Sequence, residues 1–182
     1  TRYRFLESVR QFALDALTPT DEGQTLRARH FAAFLGVARG FEAHGAGRAD
    51  EYDWLRRLDA DHENLLAALA WSAREIGDGE GALRLATALW RYWSSRGLFA
   101  LARRSLEDAL ARATDACPAS VRAHARVRAG GFALYMADHE GAHPHLLEAD
   151  RLYGELNDPK GRARSLSALA TIAVFRSDFR DA

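Results

Sequence analysis

The sequence contains little of what cross-links a protein or anchors it in a membrane. Cys117 is the one cysteine among 182 residues, so an internal disulfide is excluded and a reducing compartment fits. No apolar run approaches the roughly 18 residues of a membrane-spanning helix, and the first residues lack the basic and apolar regions of a secretory signal. We therefore expect a cytoplasmic chain that contacts no membrane.

Neither sign of charge is in excess, because 25 lysines and arginines accompany 25 aspartates and glutamates. A formal net charge of zero argues against a broad surface for nucleic acid or anionic lipid. The phosphate-binding loop GxxxxGK(S/T) of many ATPases is absent as well. We therefore expect no direct contact with nucleic acid and no cofactor in this stretch.

Helical periodicity is abundant, and it is clearest between Ala129 and Ala149. Gly130 leaves one face of a predicted helix without a bulky side chain, and Ala142 and Leu146 give the next helix an apolar stripe. Small residues let two helices approach closely, and long apolar side chains fill the grooves beside them. We expect Gly130 and Ala142 to be buried where these two helices cross.

The pattern recurs with a period of 40 residues, since Ala102, Ala142 and Ala182 occupy matching positions. A fixed period of about 20 to 50 residues is typical of stacked repeats. Each unit would bury its apolar face only against its neighbours, so the predicted fold is all-α, an α-solenoid of helical hairpins. The predicted hairpins cover residues 80–113, 119–156 and 159–182, the last of them truncated.

Residues 1–19 form the first of the predicted units. Thr1 to Phe5 alternate weakly between polar and apolar residues and predict a short strand. Val9, Phe12 and Ala16 then share one stripe of a helix. Pro19 ends that helix, because proline disfavours helical backbone at the residue before it.

Residues 20–79 predict a helical linker and a first hairpin. Thr20 offers the hydroxyl of an N-cap, and the helix after it carries Leu26 and continues to about residue 42. A loop, a short helix over residues 51–58 and a further helix follow. The apolar stripe of that further helix includes Ala70.

The hairpins resemble the tetratricopeptide repeat (TPR), in which defined positions of the first helix pack against an alanine that opens the second. The corresponding positions are Trp90, Trp93 and Ala102, then Gly130, Ala133 and Ala142, then Ala170, Ala173 and Ala182. The TPR period is about 34 residues, so helices or turns would be longer here. The resemblance places Trp90 and Trp93 in the core.

Two further stretches, Arg2–Ala13 and Asp61–Trp71, resemble the end of the winged-helix segment and the following linker of STAND-class signal-transducing ATPases. Bacterial transcription regulators of the LuxR and AfsR kinds are the most similar members. The resemblance implies that residues 1–19 end a winged-helix segment and that an ATPase domain precedes Thr1. It also implies that this chain is a non-catalytic sensor or protein-interaction arm, with DNA-binding domains elsewhere in the protein.

In TPR proteins the first helix of each hairpin lines the concave surface, and the resemblance therefore implies a partner site there. The implied site residues are Arg84, Thr87, Arg91, His124, Tyr135, Arg164, Thr171 and Phe175. A groove that is basic at one side and aromatic at the other suits an acidic or amphipathic peptide segment, from the same protein or from a partner. The alternative is that this face contacts only water or packs on another domain.

Two other interpretations stay open. An enzyme would use Asp61 and His62, or His139 and His143, and the latter spacing also matches part of a zinc site. However, the side chains of consecutive residues at the start of a helix, such as Asp61 and His62, mostly point in different directions. No cysteine lies near His139 in the sequence. We therefore expect neither catalysis nor bound metal. The second interpretation is a stand-alone TPR adaptor without an ATPase.

The last predicted hairpin lacks most of its second helix. Leu166, Leu169, Ala173 and Phe175 would then lie uncovered on one side. Solenoids need polar caps for solubility, so we expect self-association through this end.

Overall fold

α-Helices dominate the part of the chain that the structure describes. The computed structural model describes residues 6–17, 20–44, 47, 49–75 and 79–178. These residues form ten α-helices and their connecting turns, with no β-strand among them. The helices are α1 Glu7–Leu17, α2 Asp21–His44, α3 Glu51–Ala60, α4 His62–Glu75, α5 Glu80–Ala88, α6 Trp90–Ser95, α7 Phe99–Arg112, α8 Ala119–Tyr135, α9 His139–Glu155 and α10 Pro159–Asp178. The all-α class is confirmed, while the strand expected at Thr1–Phe5, the stop at Pro19 and Ala182 lie outside the described residues.

Thr20 begins α2 as predicted, because its hydroxyl oxygen accepts the Gly23 N–H at 3.0 Å. The helix continues to His44, slightly beyond the predicted end. Leu26, predicted to lie on the apolar stripe, is 42% exposed. α2 packs on α4 and α5 through the later part of the predicted stripe, where Phe34 and Val37 are partly buried and Phe41 is fully buried. The buried apolar residues of α2 are Phe31, Ala38 and Phe41.

The apolar stripes of α1 and α4 also differ from the prediction. Val9 and Phe12 of α1 are exposed. In α4, Ala70 is exposed, although the predicted stripe included it. The side of α4 that packs on α2 and α5 carries Leu65 and Leu69, as predicted, together with Ala68 and Ser72. A helical stripe predicts that one side is buried, but the neighbouring helices decide where its edge lies.

The first helix of the hairpin at 80–113 is bent at Leu89, where α5 passes into α6. The Thr87 hydroxyl donates toward the Leu83 carbonyl at 2.6 Å and the Arg84 carbonyl at 3.1 Å. Such bonds to the preceding turn bend helices. The Trp93 N–H still reaches the Leu89 carbonyl at 3.0 Å, so the backbone bonding continues through the bend.

The 40-residue period reappears in the pattern of burial. Ala102 and Ala142 are both fully buried, as predicted. Ala170 and Ala173, which the period placed in the core, are exposed, and Ile172 is buried in their place. This correction follows from the packing of α10, which contacts α8 and α9 on one side only within the described residues. Matching buried positions are Leu85, Ala125 and Ser165, and Tyr92, Phe132 and Ile172.

The turns of the hairpins repeat as well. Gly97 and Ala137 lie 40 residues apart and both have left-handed backbone, with φ of 66° and 57°. The N–H of the next residue then bonds back across the helix end, as from Asp138 to the Ala133 carbonyl at 2.9 Å. The Asp138 carboxylate in turn accepts the Gly141 N–H at 2.8 Å and caps α9. One helix therefore ends and the next begins within three residues.

Adjacent glycines on α8 should respond in opposite ways to the same substitution. A Cβ on Gly130 would lie 2.7 Å from Cγ of Leu146, which is fully buried, whereas a Cβ on Gly131 would meet no atom within 4 Å. Gly131→Ala should stabilise the fold by about 0.5–1 kcal/mol through helix propensity. Gly130→Ala should destabilise it, because overpacking costs about 1–3 kcal/mol. Urea denaturation followed by circular dichroism tests this, and shifts of the same sign would contradict the predicted crossing.

Three apolar side chains of α10, Leu166, Val174 and Phe175, are exposed. Leu169 is half-buried and packs on the cluster around Ile172. Self-association through α10 therefore stays a prediction. None of the described helices combines the length and hydropathy needed to cross a bilayer.

Candidate functional site

α8 is packed on two sides and open on a third. Ala125, Ala129 and Phe132 belong to the core that α8 shares with α5 and α7, while Ala123 and Ala133 pack toward α9 and α10. The third side carries residues at spacings of four and seven, which place them on one face of a helix. Together with neighbours from α6 and α10 they form what we call the inner-face cluster: Trp90, His124, Arg128, Tyr135 and Arg164.

Arg128 is the centre of the inner-face cluster. Its guanidinium carbon lies 3.8 Å from the centre of the Trp90 ring, a cation–π contact. Its Nε is buried and has no hydrogen-bond partner within the described part of the chain. Burial lowers the pKa of Arg128, Arg164 lowers it further, and the carboxylate of Glu42 opposes both effects. The positive charge is therefore held in a partly desolvated place.

His124 and Arg164 occupy the same position of successive hairpins, 40 residues apart. Burial, followed by the positive charges of Arg128 and Arg164, lowers the pKa of His124 to about 4. His124 is therefore neutral at pH 7, with one ring nitrogen able to donate and the other able to accept. Arg164 is exposed and forms no ion pair with any residue that the structure describes.

Glu42, in the last turn of α2, is the carboxylate that acts most strongly on Arg128. Its own pKa is raised by burial and lowered in part by Arg128 and Arg39. Burial therefore disfavours the charged form of Glu42, while the positive charge of Arg128 favours it. The inner-face cluster thus holds two guanidinium groups opposed by one partly buried carboxyl group.

Acidification should weaken the fold through His124. The ordinary pKa of histidine is 6.5 and the folded-state pKa of His124 is about 4. Between these values the unfolded chain binds more protons than the folded chain, so stability present above pH 6.5 is lost as the pH falls toward 4. Urea midpoints at pH 7 and pH 5 should differ less in His124→Gln than in the unmodified chain. Equal differences would contradict the assignment, since His30 and His145, whose pKa values burial also lowers, remain in both proteins.

Three of the expected partner-site residues are paired with a carboxylate or buried in the structure. Arg84 pairs with Glu80 at 2.5 Å. Thr87 is buried, with its hydroxyl bonded within α5. The Arg91 guanidinium pairs with Glu51, donates to a carbonyl of α2 at 3.3 Å and is 11% exposed. α2 and α3 thus cover the α5–α6 end of the expected surface.

The other expected residues remain accessible. Tyr135 is 61% exposed and stacks on Phe99, with ring centres 5.2 Å apart. Phe175 stacks on His139 at 4.7 Å. Thr171 is exposed, and its hydroxyl donates to the carbonyl of Ser167 at 3.2 Å. The accessible part of the expected surface therefore lies on α8 and α10.

Sequence reasoning missed Arg128 and misplaced Trp90. Trp90 was expected in the core, but it is only partly buried and carries the Arg128 guanidinium on its face. Trp93, by contrast, is buried as expected. The spacing of four between His124 and Arg128 was the available signal, because it puts both on one helical face.

Two of the alternative catalytic groups, His62 and His139, contact aromatic side chains of other helices. Nδ1 of His62 lies 3.2 Å from the Tyr92 hydroxyl. Asp59 accepts two bonds from Arg96, at 2.9 and 2.6 Å, and Asp61 occupies the corner between α3 and α4. In the described ranges, no three His, Cys, Asp or Glu side chains come together as a metal site would require.

Curated proteins similar to this chain match about half of it. No protein-family model matches the chain, and no solved structure matches it. Curated relatives from Mycobacterium bovis and from two strains of Mycobacterium tuberculosis are 36% identical over 96 residues, which is 53% of this chain. Each is named "Putative HTH-type transcriptional regulator". The matched stretch spans only 10% of the length of these relatives.

Proposed function

We propose that this chain is a non-catalytic, TPR-like sensor or protein-interaction region of a cytoplasmic, ATP-dependent transcriptional regulator. Its hairpins would stack as an α-solenoid, and the inner face of α8 and α10 would bind a regulatory segment. The observation that carries the proposal is the inner-face cluster, where two guanidinium groups opposed by only one partly buried carboxyl group within the described residues lie near an exposed tyrosine. The names of the mycobacterial relatives support a regulatory role.

The proposed site differs from the surface first expected. Arg84, Thr87 and Arg91 are left out, because Arg84 pairs with Glu80 of its own helix, Thr87 is buried and Arg91 pairs with Glu51 of α3. The retained residues are His124, Tyr135, Arg164, Thr171 and Phe175, and Arg128 is added. Arginine offers forked donors to carboxylates, and exposed aromatic rings offer contact area at small entropic cost. This combination suits an acidic, amphipathic segment of the same protein or of a partner.

Regulation would arise from differential contact. A segment that binds the inner face in only one state of the regulator shifts the balance toward that state by its binding free energy. The chain itself then needs no catalytic group. An ATPase domain elsewhere in the regulator would supply the nucleotide chemistry and a DNA-binding domain the output.

A paired substitution tests this function. Tyr135→Ser with Phe175→Ser removes the exposed rings of the proposed site, while Leu147→Ser removes an exposed apolar side chain from α9 as a matched control. Calorimetric titration with acidic, amphipathic segments of the full-length regulator should show binding that weakens about tenfold or more in the double variant. The control should bind as the unmodified chain does.

Transcription from the regulator's own promoter gives the second readout. The double variant in the full-length regulator should change the response to the inducing condition, and Leu147→Ser should not. Equal behaviour of the double variant and the control in both measurements would reject the inner face as the regulatory surface.

A further inference from the structure

We propose that Arg128, Arg164 and His124 together bind one oxyanion, a carboxylate or a phosphate group, in the open space beside Gly131. The inference deepens the proposed function and rests on it only for the biological role of the ligand. Gly131 follows Arg128 by three positions on α8, and no atom lies within 4 Å of where its Cβ would be. A small group therefore has room next to the Arg128 side chain.

Arg128 and Arg164 form no ion pair within the part of the chain that the structure describes. Arg112 and Arg126 also have no carboxylate partner there, and Arg126 lies 3.1 Å from a ring nitrogen of His145 instead, while the other arginines of residues 80–164 each pair with a carboxylate. The paired arginines are Arg84, Arg91, Arg96, Arg103, Arg104, Arg122, Arg151 and Arg162. Two positive charges thus remain on one face, and each destabilises the other until an anion arrives.

Arg128 is organised for binding before the ligand comes. Its guanidinium carbon lies 3.8 Å from the centre of the Trp90 ring, and this contact limits its rotamers and lowers the entropy lost when an anion is bound. Its buried Nε has no acceptor among the described residues. Arg122 also has an unpartnered Nε, but a terminal nitrogen of Arg122 pairs with Asp115 at 3.2 Å. Arg128 can therefore offer the terminal nitrogens of its guanidinium to an oxyanion, whereas its Nε is buried.

Glu42 sets the strength of the site. Its carboxylate repels an incoming anion and partly neutralises the positive charge of Arg128. Replacing Glu42 with glutamine removes that competitor and keeps the size of the side chain. Glu42→Gln should therefore strengthen anion binding, whereas loss of a ligand-contacting arginine should weaken it.

His124 couples the site to protons. Two charged groups act on His124 directly: Arg128, on the same helix, and Arg164 on α10. Arg128 in turn interacts with Glu42 on α2 and with Tyr153 on α9. A bound oxyanion cancels part of the positive field and raises the pKa of His124. Binding then takes up a proton, so affinity for an anion that does not itself titrate increases as the pH falls from 7 toward 5.

The test follows the His124 imidazole resonance by NMR while this chain is titrated with inorganic phosphate or with acetate. The two arms separate phosphate from carboxylate, sulfate provides a non-titrating anion for the pH series, and sodium chloride holds the ionic strength constant. We expect saturable binding in one arm at least and an upward shift of the His124 pKa of about one unit. No saturable change with any of the three anions would overturn the proposal.

Matched variants make the result specific. Arg164→Gln, at an exposed position, should weaken binding about tenfold or more, since hydrogen bonds to charged groups are lost. Arg104→Gln, which removes another exposed arginine from α7, should not weaken it. Glu42→Gln should tighten it about threefold or more. Equal loss in Arg164→Gln and Arg104→Gln, or weaker binding in Glu42→Gln, would reject the site.

The outcome also separates this inference from the proposed function. Absence of anion binding together with partner binding that depends on Tyr135 and Phe175 would reject the oxyanion site alone. Specific anion binding without any effect of the aromatic double variant on partners or transcription would reject the proposed function alone.

Discussion

Replacing Ala142 with glutamate is expected to destabilise the fold by about 4 kcal/mol, through overpacking and the burial of a charge. Ala142 is fully buried, and a Cβ on Gly130 would lie only 3.3 Å from its carbonyl oxygen. The two helices therefore meet with no room for a longer side chain. Since domains are stable by about 5–15 kcal/mol, this one substitution should remove much of the total.

Ala100→Glu is the matched control for that experiment. It introduces the same side chain in the first turn of α7, two positions before the equivalent alanine, Ala102, at an exposed position. An acidic residue in the first turn is favourable to a helix, so the control should be neutral or slightly stabilising. Urea denaturation monitored by circular dichroism measures both. Equal stability of Ala142→Glu and the unmodified chain would contradict the packing of α8 on α9.

Trp93→Ala is expected to have a similar effect, about 3–5 kcal/mol. The Trp93 side chain is 1% exposed and belongs to the core that joins α2 to α8. Its removal leaves a cavity among residues from several helices, which cannot all collapse into it. The substitution should therefore also destabilise helices that are distant from Trp93 in the sequence.

Trp90→Ala gives the contrast. Trp90 is only partly buried, and its face carries Arg128, so its loss should cost less than half as much. Far-ultraviolet circular dichroism is the suitable readout, because both variants alter tryptophan fluorescence. If Trp90→Ala destabilised the fold as much as Trp93→Ala, the prediction would be wrong, and both rings would belong to the core as the TPR resemblance implies.

Local chemistry was sufficient to predict most helix boundaries. The Thr20 cap and the start of α10 at Pro159 were predicted within a residue. Both depend on neighbours only a few positions away, and a sequence shows such neighbours directly. The 40-residue period was visible for the same reason, since matching alanines such as Ala102 and Ala142 recur at fixed spacing.

The functional surface depended instead on contacts between distant segments. Arg91 was expected on the partner surface, but it lies beneath α2 and α3, where Glu51 neutralises it. Arg128 remains without a carboxylate and stacks on Trp90. No periodicity could separate them, because α2 and α3 lie outside the 40-residue repeat and their packing follows from long-range contacts.

Sequence by itself therefore determined that the chain is helical, where its helices begin and end, and which alanines recur, because these properties arise from residues within a few positions of one another. Tertiary structure alone decided that Leu26, Ala70 and Ala173 face solvent, that Thr87 is covered and that Arg128 and Arg164 share an open face. The physical reason is that burial and charge neutralisation belong to pairs of segments. A single helix carries its stripe, but its neighbours decide which part of that stripe is covered.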